Sequence, residues 1–257
     1  MKYKLVFDYP QKFNFRNEKE TKNYGEWKFY LWGLSNWSRR HTTVKRSNVV
    51  LNMLDIKPGS RALDEGCGWG YLVMLFAQLG HRATGIDLDK EQLDVARELA
   101  EFNKIPADFL YMDAKQTSFT EGEFDIVVQM EALEHMGDDW GRSIKEISRI
   151  LKEGGQFVLS TPNTRGVAQI VKSFLTKFKY FLRFWTKEEF IPAKLIEKEL
   201  RESGFKIIAE KRILLAIPFI PDFLFPINLL LEIVVENVPV LNEIATTYLF
   251  YCVKESK

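Results

Sequence analysis

The sequence predicts a three-layer, doubly wound α/β fold, with a seven-stranded sheet whose last strand is antiparallel and helices on both faces. Three observations carry that expectation. Short apolar runs alternate with helix-length amphipathic stretches between residues 61 and 253, the rhythm of βα units feeding a mostly parallel sheet. Glycines at alternate positions, Gly66, Gly68 and Gly70, turn the first run into the first helix. Acids mark three successive strands, at Asp64, Asp87 and Asp113. Ligands of an open parallel sheet lie outside the carboxyl ends of its strands, so these carboxylates are expected to converge on one crevice.

The elements follow in order. Residues 61–66 read as a short buried strand, followed by a helix with Leu72, Val73, Leu75, Phe76 and Leu79 on its apolar face. A ligand crossing the glycine turn meets backbone without Cβ atoms, and the free N–H groups of the helix's first turn favour an anion, carboxylate as readily as phosphate. The second strand, 82–88, carries Asp87 at its end, where a carboxylate can accept both hydroxyls of a ribose. A helix over 90–103 and a strand over 108–111 lead to Met112-Asp113-Ala114. Asp113 can take an adenine amino group there, with Leu88 and Met112 on either side of the ring. The fourth strand, 124–129, runs into Met130-Glu131-Ala132-Leu133-Glu134-His135. The next helix is expected to use Asp138 or Asp139 as its N-cap and to stop at Gly154-Gly155. A fifth strand, 156–160, ends in Thr161-Pro162-Asn163. A capping box at Thr186-Lys187-Glu188-Glu189 opens a helix towards Gly204, and strands over 205–213 and 246–253 complete the sheet.

Residues 1–57 are expected to form an N-terminal helical cap, and Lys57-Pro58-Gly59-Ser60 to start the main domain, 58–257. Trp27, Trp32 and Trp37, with Tyr24, Tyr30 and His41, make the cap aromatic. Such a cluster either packs on the main domain or roofs a pocket. On the second alternative Trp32, Trp37 and His41, with Asn163 and Trp185, face the substrate. Two insertions stand outside the scaffold, at about 164–185 and 214–245. The first places Ile170, Phe174, Phe178, Phe181 and Trp185 on one helical stripe, with Lys172, Lys177, Lys179 and Arg183 elsewhere, a basic amphipathic pattern. The second is almost wholly apolar but is broken by Pro218, Pro221 and Pro226, which argues against a membrane span and for a pocket wall, a homodimer surface or a shallow, peripheral membrane contact.

Bulk properties narrow the classes. Lys+Arg 36 against Asp+Glu 35 leaves a net charge of +1, so no global basic field exists to hold nucleic acid. Two cysteines, Cys67 and Cys252, offer neither a disulfide framework nor a metal spacing, and no metal ligand set is assigned. With no signal-peptide core at the N-terminus, the expectation is a cytoplasmic protein. The dinucleotide fingerprint G-x-G-x-x-G would need glycine where Tyr71 stands, so the glycine register argues against NAD.

In that register, with Asp64 ahead of the glycines and Asp87 at the ribose position, the chain resembles the class I S-adenosylmethionine (SAM)-dependent methyltransferases. It is most similar to the small-molecule branch that includes the ubiquinone-biosynthesis O-methyltransferases. The resemblance covers about 46–205 and is densest at 63–70, 85–87, 130–135 and 151–155. It implies that Arg46 holds the methionine carboxylate, that Gly66, Cys67, Gly68 and Gly70 carry the tail, and that Met130 lies against the cofactor. Asp113, with Ala114 beside it, matches the adenine contact of the wider superfamily. Glu65 departs from the pattern, which more often has a small apolar residue there. Methyl transfer needs alignment, exclusion of water and, for a hydroxyl acceptor, a base. His135 is the candidate base, since an imidazole titrates near pH ~6.5 in water, and Glu131 is placed to orient it; a residue that only caps the following helix is the alternative. The leading expectation is methyl transfer from SAM to an oxygen of a small, quinone-, prenyl- or lipid-like acceptor. The alternatives are an N- or C-methyltransferase, a nucleic-acid methyltransferase or a non-catalytic SAM-binding partner subunit. Against the nucleic-acid reading, Gln129-Met130-Glu131-Ala132 is not the Asn-Pro-Pro-aromatic turn that holds a flipped base.

Overall fold

The computed structural model describes residues 37–167, 191–214 and 222–256, with only the backbone of 37–40. The aromatic cap up to residue 36 lies outside that description. So do Trp32, Trp185, most of the basic amphipathic stretch and the capping box at Thr186.

Helix α1 (Trp37–Met53) leads into β1 (Arg61–Glu65), α2 (Tyr71–Gln78), β2 (Arg82–Asp87), α3 (Lys90–Phe102), β3 (Ala107–Tyr111) and β4 (Phe124–Met130). A single 3₁₀ turn, Leu133–His135, precedes α4 (Gly141–Ile150) and β5 (Leu151–Pro162). Then follow α5 (Ala193–Glu202), β6 (Phe205–Ile213), α6 (Phe225–Asn237), α7 (Pro239–Asn242) and β7 (Thr247–Lys254). The strands form one sheet in the order β3-β2-β1-β4-β5-β7-β6. Its pairs are parallel except those of β7, which is antiparallel to both β5 and β6. The expected doubly wound architecture with its antiparallel last strand is therefore present.

Two apolar layers explain why the sheet is buried. Val50 and Leu51 of α1, Val73 and Met74 of α2, and Leu93 and Ala96 of α3 pack on one face. Ile144, Ile147 and Ile150 of α4 and Ile196 and Leu200 of α5 pack on the other. Central strands are covered on both sides, so β1 and β4 are buried along almost their whole length. Edge strand β6 alternates instead, and its exposed Lys206 and Glu210 protect the open edge from pairing with another chain.

Two local expectations need correction. Gly154 does not stop the chain before a later strand. β5 starts at Leu151, and Asp125 of β4 stands opposite a bulge over 152–155 in which Gly154 takes φ 71°. Neither Asp138 nor Asp139 caps α4 with its side chain; Trp140 occupies that position, and the Asp139 carboxylate pairs with Lys115 at 2.8 Å. The insertion 214–245 contains a helix packed against α1. No helix among the described residues is long and apolar enough to cross a membrane.

Candidate functional site

Parallel register brings the strand ends level. Glu65 is opposite Ile86 and Gln129, Asp87 opposite Tyr111, and Met130 opposite Ser160. The loops leaving β1, β2, β3 and β4 consequently open on one edge and line a crevice of about 1120 Å³. Gly66 and Gly68, Asp87 and Leu88, Met112, Asp113 and Ala114, and Glu131 and His135 all reach it, as the sequence predicts.

Backbone geometry makes the floor. The N–H groups of Gly66 and Cys67 both donate to the Ile86 carbonyl, at 2.9 and 3.0 Å, tying the turn to β2. Gly66 has φ 71°, and a Cβ there would stand 2.6 Å from the Ala132 Cβ. Gly70 has φ 74° at the start of α2, and its Cβ would enter the Phe109 ring at 2.3 Å. Both positions require glycine for conformation and for space.

Around this floor the acids are individually held. Asp87 accepts from the Gly68 N–H at 2.8 Å and from the Asp89 N–H at 2.9 Å, so its carboxylate is fixed at the crevice wall. Asp89 in turn caps α3, accepting from the N–H groups of Glu91 and Gln92. Asp113 accepts from the Lys115 N–H at 2.9 Å, which closes a turn around the β3 exit. Glu131 takes φ 53°, a left-handed conformation that costs about 1 kcal/mol or more for a residue with a side chain. Ser160 offsets that strain: its carbonyl accepts from the Glu131 N–H at 3.0 Å and its hydroxyl donates to Glu131 Oε1 at 3.0 Å. The other carboxylate oxygen of Glu131 lies 3.6 Å from Arg46.

Asp64 differs from its expected place. It lies buried beneath the crevice, with Oδ1 lacking a partner among the described residues. Burial, reinforced by the Asp87 charge and opposed by Arg46, pushes its pKa up to about 8. Cys67 is also buried, and loss of solvation raises its thiol well above the usual range, so it acts as a small residue inside the turn. Gly70 and Met130 support the floor without lining the crevice. His41 is not brought to the crevice; its Nε2 sits 2.7 Å from Glu232 of α6 and its ring packs edge-on against Phe225. Asn163 is likewise removed, because its amide donates to the carbonyls of Glu243 and Ala245 and fastens β5 to the segment before β7. Trp37 begins α1, and its side chain lies outside the described residues.

The structure adds residues that sequence reasoning passed over. Tyr111, half-exposed in the crevice wall, has the Lys90 ammonium 4.6 Å from its ring centre. Lys115 and Met136 close the opposite side, Lys115 Nζ reaching the Met136 carbonyl at 3.4 Å. Their position immediately before or after strand ends was the available signal. Glu65, the departure from the family pattern, is fully buried on the far side of β1. There its Oε2 accepts from Gln129 at 3.1 Å and lies 3.5 Å from the Ser143 hydroxyl. Burial raises the pKa of this carboxyl well above the usual carboxylate range.

Residues 63–159, which span the glycine turn and every strand end at the crevice, match a family profile described as a methyltransferase domain. The matched residues form a methyltransferase domain. The chain is 32% identical over 152 residues to 2-methyl-6-phytyl-1,4-hydroquinone methyltransferase of Synechocystis sp., an alignment covering 58% of this chain and 47% of that protein. It is 38% identical over 119 residues to the ubiquinone biosynthesis O-methyltransferase of Xanthomonas oryzae pv. oryzae, covering 46% of this chain and 49% of the relative. The chain thus spans about half the length of the curated relatives it matches. Among solved structures, the [4+2]-cyclase SpnF superposes with a TM-score of 0.65 at 21% identity, covering 88% of this chain and 84% of that one. A putative methyltransferase in complex with the Haloferax volcanii Trm112 activator gives 0.64 at 21% identity, with 95% and 100% coverage. These likenesses establish the fold of the methyltransferase domain.

Proposed function

We propose that the protein transfers the methyl group of SAM to an oxygen of a small, apolar acceptor of quinone, prenyl or lipid type. The supporting observation is the convergence of Gly66, Gly68, Asp87 and Asp113 with Glu131 and His135 on a single crevice. The site also fits a cationic cofactor electrostatically. Asp64 is buried with no partner for Oδ1 among the described residues, and a positive charge above it would favour its ionised form beside Asp87.

When bound, SAM supplies an electrophilic methyl on a sulfonium, open to in-line displacement. In this reading Asp87 accepts the ribose hydroxyls, with its oxygens already aimed by Gly68 and Asp89. Asp113 accepts from adenine, whose ring lies between Leu88 and Met112. Arg46 leaves Glu131 to pair with the methionine carboxylate, an exchange of one carboxylate partner for another that suits its guanidinium fork. His135, exposed in the crevice wall, receives the proton of the acceptor hydroxyl. Glu131 holds the loop that presents His135, through its double attachment to Ser160.

The curated relatives are named for quinone-type substrates, which supports an apolar aromatic acceptor here. Two free, buried cysteines suit a reducing, cytoplasmic setting. Titration calorimetry tests the first step. SAM binds the wild type, and Asp87→Ala weakens it at least about tenfold, the cost expected for losing hydrogen bonds to a charged group. Unchanged affinity in Asp87→Ala, or no binding by the wild type, overturns the reading. Mass spectrometry of a host extract incubated with methyl-labelled SAM then identifies the acceptor and whether oxygen, nitrogen or carbon is labelled.

A further inference from the structure

Arg46 and Glu131 meet from two elements that are each held in place. Glu131 leaves β4 in the left-handed conformation, and the fully buried Ser160 of β5 fixes its carboxylate by donating to Oε1 at 3.0 Å. Backbone strain of this kind is kept where a ligand is gripped or a switch is set. Here it turns the carboxylate of a crevice-lining residue towards α1, and Oε2 lies 3.6 Å from the Arg46 guanidinium. Helix α1 is fastened separately. Lys45, the neighbour of Arg46, reaches Glu232 at 2.5 Å and Glu236 at 2.6 Å, and His41 reaches Glu232 at 2.7 Å, so α6 turns acids inwards against α1. With both backbones secured, the long Arg46 side chain is the part of the pair that can change partner. Its side chain is 21% exposed and that of Glu131 23%, so a ligand in the crevice can reach the pair.

We infer that Glu131 is a resident competitor for the cofactor's carboxylate: it pairs with Arg46 in this structure and gives up the guanidinium when the methionine tail is seated. This rests on the reading in which Arg46 takes that carboxylate. A ligand carboxylate then gains Arg46 only at the expense of the Glu131 pair, while the same guanidinium also acts on buried Asp64. The exchange leaves Glu131 where it is, because Ser160 holds it through both the backbone and the hydroxyl. The competitor lowers affinity for every ligand that has the amino-acid tail, and leaves a ligand without the tail untouched. Glu131 is thereby a specificity-determining residue as well as a support for His135. Its pull on Arg46 also loosens the demethylated product, S-adenosylhomocysteine, and favours release after transfer.

Titration calorimetry of the full chain with two ligands tests this. S-adenosylhomocysteine carries the carboxylate without the sulfonium charge, which separates the exchange from any attraction between Glu131 and that cation. 5′-Methylthioadenosine has the same adenine and ribose and no amino-acid tail. Glu131→Gln keeps an acceptor for the Ser160 hydroxyl and removes the charge. It is expected to bind S-adenosylhomocysteine about two- to fivefold more tightly than the wild type, the size of a partly exposed ion pair, and 5′-methylthioadenosine equally. A purely structural role for Glu131, or a direct grip on the cofactor, gives a loss instead. Arg46→Gln is expected to weaken S-adenosylhomocysteine at least about tenfold and to abolish the gain from Glu131→Gln in the double variant. Glu131→Asp, which draws the charge back from Arg46, repeats the comparison should the amide lower the thermal midpoint. Unchanged or weaker S-adenosylhomocysteine binding in Glu131→Gln, an equal gain for both ligands, or a gain that persists beside Arg46→Gln would each overturn the competition while leaving the cofactor reading intact. No binding of S-adenosylhomocysteine by the wild type overturns both.

Discussion

At the scale of single residues, Asp64 and His135 carry the sharpest consequences. The folded pKa of Asp64, about 8, lies above the ~3.9 of an unfolded aspartate. The folded state then binds the extra proton between those values, so the stability that this group contributes is complete below about pH 4 and is lost as pH rises through about 8. The slope is roughly 1 kcal/mol per pH unit inside that window. Thermal midpoints of the cofactor-free protein should fall with pH across it, and Asp64→Asn should flatten the profile; an equally steep profile in the variant would show that another group is responsible. His135→Ala should lower kcat about 10²- to 10⁴-fold while leaving SAM affinity unchanged, the pattern of a lost proton acceptor. A matched loss of SAM affinity would assign the residue to the cofactor instead. The identities of these residues were readable because strand ends are marked by short motifs. The burial of Asp64 was not, since strand alternation alone does not say which of Asp64 and Glu65 faces the crevice floor and which faces α4.

At the scale of elements, the most constrained segment is the junction of β1 and α2. Gly70→Ala puts a methyl into the Phe109 ring at a left-handed position. It should cost about 2 kcal/mol or more, read as a lower urea midpoint with an unchanged slope. Gly154→Ala, at a positive φ but with nothing within 4 Å of its added methyl, should cost about 1 kcal/mol, from backbone strain alone. Equal midpoints for the two variants would show that contact with Phe109 is not what the turn requires. The apolar content of 214–245 was legible as an anomaly, but its fold was not. Helical periodicity identifies a face without saying which face is inside, and only the charged contacts of Glu232 with His41 and Lys45 reveal that α6 is reversed. The same contacts explain why His41, a reasonable substrate residue when only its aromatic neighbours are visible, belongs to the helix pair.

At the scale of the molecule, the doubly wound arrangement was legible because each βα unit crosses over in only one hand, whereas the insertion of β7 between β5 and β6 was not. The crevice followed from that arrangement, as Asp87, Asp113 and Glu131 lie at neighbouring strand ends. Asn163 attracted attention because it also leaves a strand at this edge, but the segment leading into β7 takes its amide for backbone contacts. A fold reading thus locates an edge, while the partners of each side chain decide whether it faces the crevice or its supports.

The two thiols give the molecule an internal clock. Cys67 lies inside the glycine turn and Cys252 in β7, and both are buried with raised pKa values. An alkylating reagent therefore reacts with each only when its surroundings open. Cys252, enclosed between β5 and β6, times the breaking of the sheet, whereas Cys67 times the loosening of the turn. A ligand seated on that turn should slow alkylation of Cys67 well beyond its effect on Cys252, so that peptide mass mapping of the labelled protein can follow cofactor occupancy without a chromophore or any turnover.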